Sequence, residues 1–97
     1  MTAAALKQSA TADSNPPAGL SPELTSLWLA KKGRWEEAHN IAQDIHTRDG
    51  SWIHALLHLI EGDTGNAGYW YARAGRQVRG IRDIDAEWDR IAEYLCQ

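Results

Sequence analysis

The chain has 97 residues, room for one domain, with an apolar share of 43% and a formal net charge of −3. That weak acidity speaks against a general nucleic-acid binder, which carries a clearly basic field, and no run of about eighteen apolar residues is present to span a membrane. The one cysteine, Cys96, cannot close an internal disulfide, so the composition points to a cytoplasmic protein rather than a small secreted scaffold.

Residues 1–19 are mostly Ala, Ser, Thr, Asn and Pro and end in Asn15-Pro16-Pro17-Ala18-Gly19. Such a segment has little to bury against its ordering entropy, and it reads as a disordered or loosely ordered tail. Residues 3–10 become an ordered helix only if a neighbour covers them. A single helical domain is expected over residues 20–97.

Ser21-Pro22-Glu23 sets an N-cap, a proline at the first helical position and an acid in the first turn. Leu24, Leu27, Trp28 and Lys31 follow at helical spacing, and Gly33 stops the helix. A second helix carries Trp35, Ala38, Ile41, Ala42 and Ile45 and ends before Asp49-Gly50. A third, capped by Asp49 or Ser51, carries Trp52, Ala55, Leu56, Leu59 and Ile60 and stops at Gly62-Asp63. A fourth spans about Thr64 to Ala74, with Ala67, Tyr71 and Ala74 in register. Arg73 to Arg82 reads as a loop with glycines at 75 and 80, and Asp83 or Asp85 opens a last helix striped with Ile84, Trp88, Ile91 and Leu95. Short connections between helices of this length force antiparallel neighbours, and no segment alternates with period two. The class is all-α.

Laid over itself at an offset of 29, the sequence repeats residues of the same physical role. Gly33 falls on Gly62, Ala38 on Ala67, Leu27 on Leu56, and Ala42 on Tyr71. The glycine turns the chain between two helices, and the small residue five positions later lets the second helix approach the first. On Gly33, Trp35, Ala38 and Ala42, and on Gly62, Ala67, Tyr71 and Ala74, the chain resembles the tetratricopeptide repeat family. Tyr69-Trp70-Tyr71-Ala72-Arg73-Ala74-Gly75 is similar to the ending of the related Sel1-like repeats. The resemblance covers about residues 22–75. It implies two antiparallel helical hairpins, with the last helix as a C-terminal cap, and a scaffold that binds other proteins. The period is shorter than the usual unit of about 34 residues, and no proline closes either repeat.

In that arrangement the first helix of each hairpin lines a concave groove. This makes Trp28, Lys31, His54, Leu57, His58 and Glu61 the groove candidates for a peptide or partner protein. His54 and His58, four residues apart with Glu61 a turn further, also have the spacing of two metal ligands. No metal or cofactor is nevertheless expected, because a polar helix face opposite the core stripe accounts for the same residues. His39 and His46 join them only if the helix faces match. Arg73, Arg76, Arg79 and Arg82 recur every third residue and are anion-binding candidates, although Asp83, Asp85, Glu87 and Asp89 follow closely enough to neutralise them. Adjacent Tyr69, Trp70 and Tyr71 cannot all face the core. Tyr71 takes that position, and Tyr69 and Trp70 are expected partly exposed or buried against the last helix, where Trp88 is placed to meet one of them.

No nucleophile motif is present, and the enzyme reading is not favoured. The expected function is a small helical-repeat interaction module for a peptide or partner protein, with self-association as a companion. The alternative is a small-ligand, anion or metal-binding domain with an enzyme-like site around His54, His58 and Glu61.

Overall fold

A computed structural model describes residues 1–97. It contains six α-helices and no strand: α1 (Ala3–Ala12), α2 (Pro22–Lys32), α3 (Trp35–Ala42), α4 (Arg48–Ile60), α5 (Thr64–Ala74), a 3₁₀ turn (Ile81–Asp83) and α6 (Ile84–Leu95). No helix is long and apolar enough to cross a membrane.

The ends follow from local chemistry. Ser21 Oγ accepts the Leu24 amide at 3.2 Å with Pro22 in the first turn, and Asp63 Oδ1 accepts the Asn66 amide at 3.1 Å to start α5. Gly33 and Gly62, both at φ +86°, take the left-handed turn that ends one helix and reverses the chain into the next. The results are two antiparallel hairpins, α2–α3 and α4–α5. Ala38 and Ala67, with no accessible surface, sit where the paired helices approach. Within the first hairpin the buried Ser26 hydroxyl donates to the Ala38 carbonyl at 2.8 Å.

Helix α4 is the axis of the core, with ten of its thirteen residues buried. Helix α6 crosses the face formed by α2 and α4, burying Ile91 and Ala92, and the Trp88 indole N–H donates to the Leu27 carbonyl at 2.8 Å. Four of the five indole N–H groups are satisfied inside the protein. Besides Trp88, Trp28 donates to Ser9 Oγ, Trp35 to the Leu57 carbonyl and Trp52 to Glu87 Oε2. Trp70 is the exception.

Two features differ from the expected pattern. Residues 3–12 are helical and packed on α2 and α6, so the reading of 1–19 as a loose tail gives way there to its ordered alternative. Leu6 and Ala10 are fully buried, Ser9 accepts Trp28, and Lys7 pairs with Asp89 at 3.1 Å. The third helix also starts earlier than Asp49-Gly50 suggested. Thr47 Oγ1 accepts the Gly50 amide at 3.1 Å, so Thr47 is the cap and Gly50 lies inside the first turn. Glycine stands there because any Cβ would run into the Ile45 carbonyl.

Candidate functional site

The face of α2 and α4 expected to form an open groove is covered. Helix α6 fills it, α1 closes over Trp28, and both Trp28 and Leu57 have no accessible surface. Lys31 remains half-buried with its ammonium 5.0 Å from the Trp88 ring centre. His54, His58 and Glu61 instead meet α3 and α5 on the other side of α4.

Helix α3 is short and amphipathic. Burial of Ala38 and Ala42 against α2 fixes its rotation, which leaves Trp35 and His39, one turn apart, turned toward α4. The His39 ring stacks on Trp35 at 4.8 Å with planes 12° apart. Its Nε2 lies 3.0 Å from His54 Nε2, and the His58 ring centre lies 5.6 Å away. His54 and His58, one turn apart on α4, stack at 4.9 Å. The other side of His54 is covered by Trp70 of α5 at 3.8 Å and 10°. His39, His54 and His58 each offer one ring nitrogen within 4.8 Å of the other two. His46 is exposed in the α3–α4 turn and does not join them.

Burial favours the neutral form of His54 and His39. The His54 side chain is pushed down to about 4, first by removal from water and then by the neighbouring charges that His39 and His58 would carry. His39 is lowered by the same burial and by His58, with Glu61 opposing. Glu61 Oε1 lies 2.7 Å from His58 Nδ1. That contact orients the His58 ring with Nδ1 toward the carboxylate and Nε2 away from it, as in the carboxylate–histidine pairs that orient metal ligands.

The four arginines of the 73–82 run do not converge. Arg73 lies over Tyr69 and Trp70 on α5, and its Nη1 reaches the Tyr69 hydroxyl at 3.4 Å. Arg76 lies 3.9 Å above the Trp52 ring and 4.6 Å from that of Tyr94. Arg79 reaches Glu87 at 4.0 Å, and Arg82 sits apart, exposed on the 3₁₀ turn. Glu87 is the residue the sequence concealed. At 1% exposure it accepts from Tyr71 Oη, from Trp52 Nε1 at 3.0 Å and from Arg90 at 2.8 Å. Burial and this carboxylate push the Tyr71 phenol well above its ordinary range. The cleft of about 460 Å³ that contains Arg76, Arg79 and Arg90 also holds Glu87 and Glu93, which offset two of those three charges. Of the two aromatics expected to be partly exposed or against the last helix, Tyr69 is exposed and Trp70 lies against His54, while Trp88 donates to α2.

Compared with known protein families, with curated proteins and with solved structures, the chain matches none.

Proposed function

We propose that this protein binds a divalent transition metal through His39, His54 and His58. The carrying observation is the mutual approach of three imidazole nitrogens from two helices within 4.8 Å, framed by Trp35 and Trp70 and oriented by Glu61. Tetrahedral zinc needs ligand nitrogens roughly 3.3 Å apart, given metal–nitrogen bonds of about 2.0–2.1 Å, and His39 and His54 already meet that spacing. Three neutral imidazoles favour zinc, copper, nickel or cobalt over hard calcium or magnesium. A three-histidine set leaves a fourth position for water or an exogenous ligand.

Cobalt(II) titrated into the chelator-treated chain tests this. Saturable one-to-one uptake with a visible tetrahedral spectrum, lost in His39→Gln and His54→Gln, is expected. Absent uptake, or uptake unchanged by both substitutions, would overturn the reading.

A second reading keeps the chain as a tetratricopeptide-like interaction module for a peptide or protein partner. The matched pairs Gly33/Gly62 and Ala38/Ala67 support the repeat. An apolar notch of about 280 Å³ where α2, α4 and α6 converge favours a contact surface, walled by Ala30, Ile60, Ile84 and Trp88 with Lys31 and Asp85 at its rim. Affinity capture and sedimentation of wild type against Ile60→Glu test it. A partner, or a dimer, lost in the variant supports this surface, and indifference to the variant removes it.

A further inference from the structure

A second cleft opens on the far side of His54, between the α3–α4 turn, the first turn of α4 and the face of α5. Its volume is about 310 Å³, at the lower end of ligand-sized cavities. Its polar walls include Thr47, Arg48, Ser51, His54, Trp70 and Arg73. No acidic side chain lines it, in a chain whose acids outnumber its lysines and arginines 13 to 10.

The two arginines here have no carboxylate partner, a property shared only by Arg76, which lies over Trp52 and Tyr94, and Arg82, exposed on the 3₁₀ turn. Arg34 is paired with Glu37, and Arg79 and Arg90 with Glu87, whereas Arg48 and Arg73 have no carboxylate within 4.0 Å. Arg73 is held in place by its stack on Tyr69 and Trp70, which leaves most of its guanidinium donors unused.

Three further donors on the cleft wall have no acceptor in the protein. Ser51 is 92% buried by its 8% exposure, yet its hydroxyl makes no hydrogen bond. His54 is 5% exposed, and of its two ring nitrogens only Nε2, directed at His39, is engaged. Trp70 keeps the one indole N–H without a partner. No enclosed side-chain nitrogen or oxygen lacks a partner anywhere in the molecule, so these three atoms must reach open space. The cleft is the open space that all three residues line. When His54 Nε2 accepts from His39, or binds a metal, its proton resides on Nδ1, which then donates away from the cluster.

We infer that this cleft binds a phosphate-type dianion, either inorganic phosphate or the terminal phosphate of a small organic monoester, between Arg48 and Arg73, with Ser51, His54 and Trp70 donating to its oxygens. Two guanidinium groups match a doubly charged ion, and donors converging from α4 and α5 suit a tetrahedral group better than a planar carboxylate. The site shares His54 with the proposed metal centre but draws its charge from residues that take no part there, so the two stand or fall separately.

The test is a titration of the full chain, with chelator present, by inorganic phosphate and in parallel by phenyl phosphate. It is followed by the NMR signals of the Trp70 indole and the His54 ring, with sodium chloride at matched ionic strength as control. Saturable shifts of both signals are expected, with affinity falling roughly tenfold or more for each of Arg48→Gln and Arg73→Gln. Both arginines are exposed, so these variants should fold. Ser51→Ala should weaken binding less, and His58→Gln, which disables the metal set but keeps the His39–His54 contact, should leave phosphate binding in place. Tighter binding of phenyl phosphate would identify an organic monoester as the ligand, and equal affinity the free ion. Absent shifts, shifts reproduced by chloride, or affinity unchanged in both arginine variants would overturn the inference.

Discussion

His54 lies flat against Trp70, the ring centres 3.8 Å apart and the planes within 10°. Together with the stack of His39 on Trp35, this puts an indole against each of two proposed metal ligands, while Trp28, Trp52 and Trp88 make their contacts elsewhere. Nickel(II) or copper(II) bound at the cluster should therefore quench the fluorescence of Trp35 and Trp70 selectively. Trp70→Leu should remove part of the quenchable emission and weaken uptake by freeing the His54 ring. Equal quenching in wild type and variant would move the metal away from this cluster.

The lowered His54 and His39 values give the metal-free protein an acid-sensitive stability. The His54 value falls from 6.5 in the ordinary side chain to about 4 in the folded protein. Below pH 6.5 the unfolded chain therefore takes up a proton that the folded one refuses. The stability associated with the neutral ring is fully present above about pH 6.5 and is lost as the pH falls to about 4. Lowered His39 adds in the same direction. Melting temperatures of the chelated protein should decline across that window, and His54→Gln should flatten the decline. A curve as steep in the variant would assign the effect to other groups.

Helix α1 carries a third expectation. Leu6→Ala should cost about 2–5 kcal/mol, the range for emptying a buried leucine site, because Leu6 has no accessible surface. Deleting residues 1–19 should lower the melting temperature as well, since Trp28 would lose both its cover and its Ser9 acceptor. Unchanged melting in both would mean that α1 contributes nothing to the fold.

The hairpins were legible because each relies on the same two residues in the same roles, a glycine at positive φ and an alanine at the close approach. Helix α1 was not, because two apolar residues in ten make no stripe until α2 and α6 supply the surface they cover. His54 and His58 stood out by spacing within one helix. The approach of His39 depends on the rotation of α3, which is set by Ala38 and Ala42 and was readable only as a condition. Even spacing made the arginines look like one site. Which cleft each enters is decided by distant partners, Trp52 and Tyr94 for Arg76 and Glu87 for Arg79. The open groove failed for a simpler reason: the last helix lies across the first helices of both hairpins, whereas the repeat pattern suggested a cap at one end.

Glycine substitutions separate contact from flexibility. Gly50→Ala should destabilise by about 1–3 kcal/mol through overpacking, although alanine gains roughly 1 kcal/mol in helix propensity, because its Cβ would collide with the Ile45 carbonyl. Gly65 and Gly68, helical in α5 with nothing within 4 Å of a built Cβ, should behave oppositely. Alanine at either should stabilise by roughly 0.5–1 kcal/mol. Thermal unfolding of the three variants checks the contrast, and a stabilising Gly50→Ala would refute the close approach.

Glu87 should be the most sensitive charged residue in the chain. Its carboxylate is almost wholly enclosed, accepts from Tyr71 and Trp52 on one oxygen, and meets Arg90 and Arg79 on the other. An amide in its place keeps the volume but removes the charge, and its NH₂ group faces donors on whichever side it turns. Removing one partner of a buried ion pair costs about 3–5 kcal/mol, and Glu87→Gln should approach that range because Arg79 and Arg90 are partly open to water. Tyr71→Phe, which deletes one donor and leaves the carboxylate with Trp52, Arg90 and the longer Arg79 pair, should cost less, about 1.5–3 kcal/mol for a hydrogen bond to a charged group. Glu93→Gln, on the exposed wall of the same cleft, should be nearly silent. Denaturant unfolding of the three variants should therefore rank Glu87→Gln, Tyr71→Phe and Glu93→Gln in descending cost. If Glu87→Gln is no worse than Glu93→Gln, the buried carboxylate does not hold α4, α5 and α6 together.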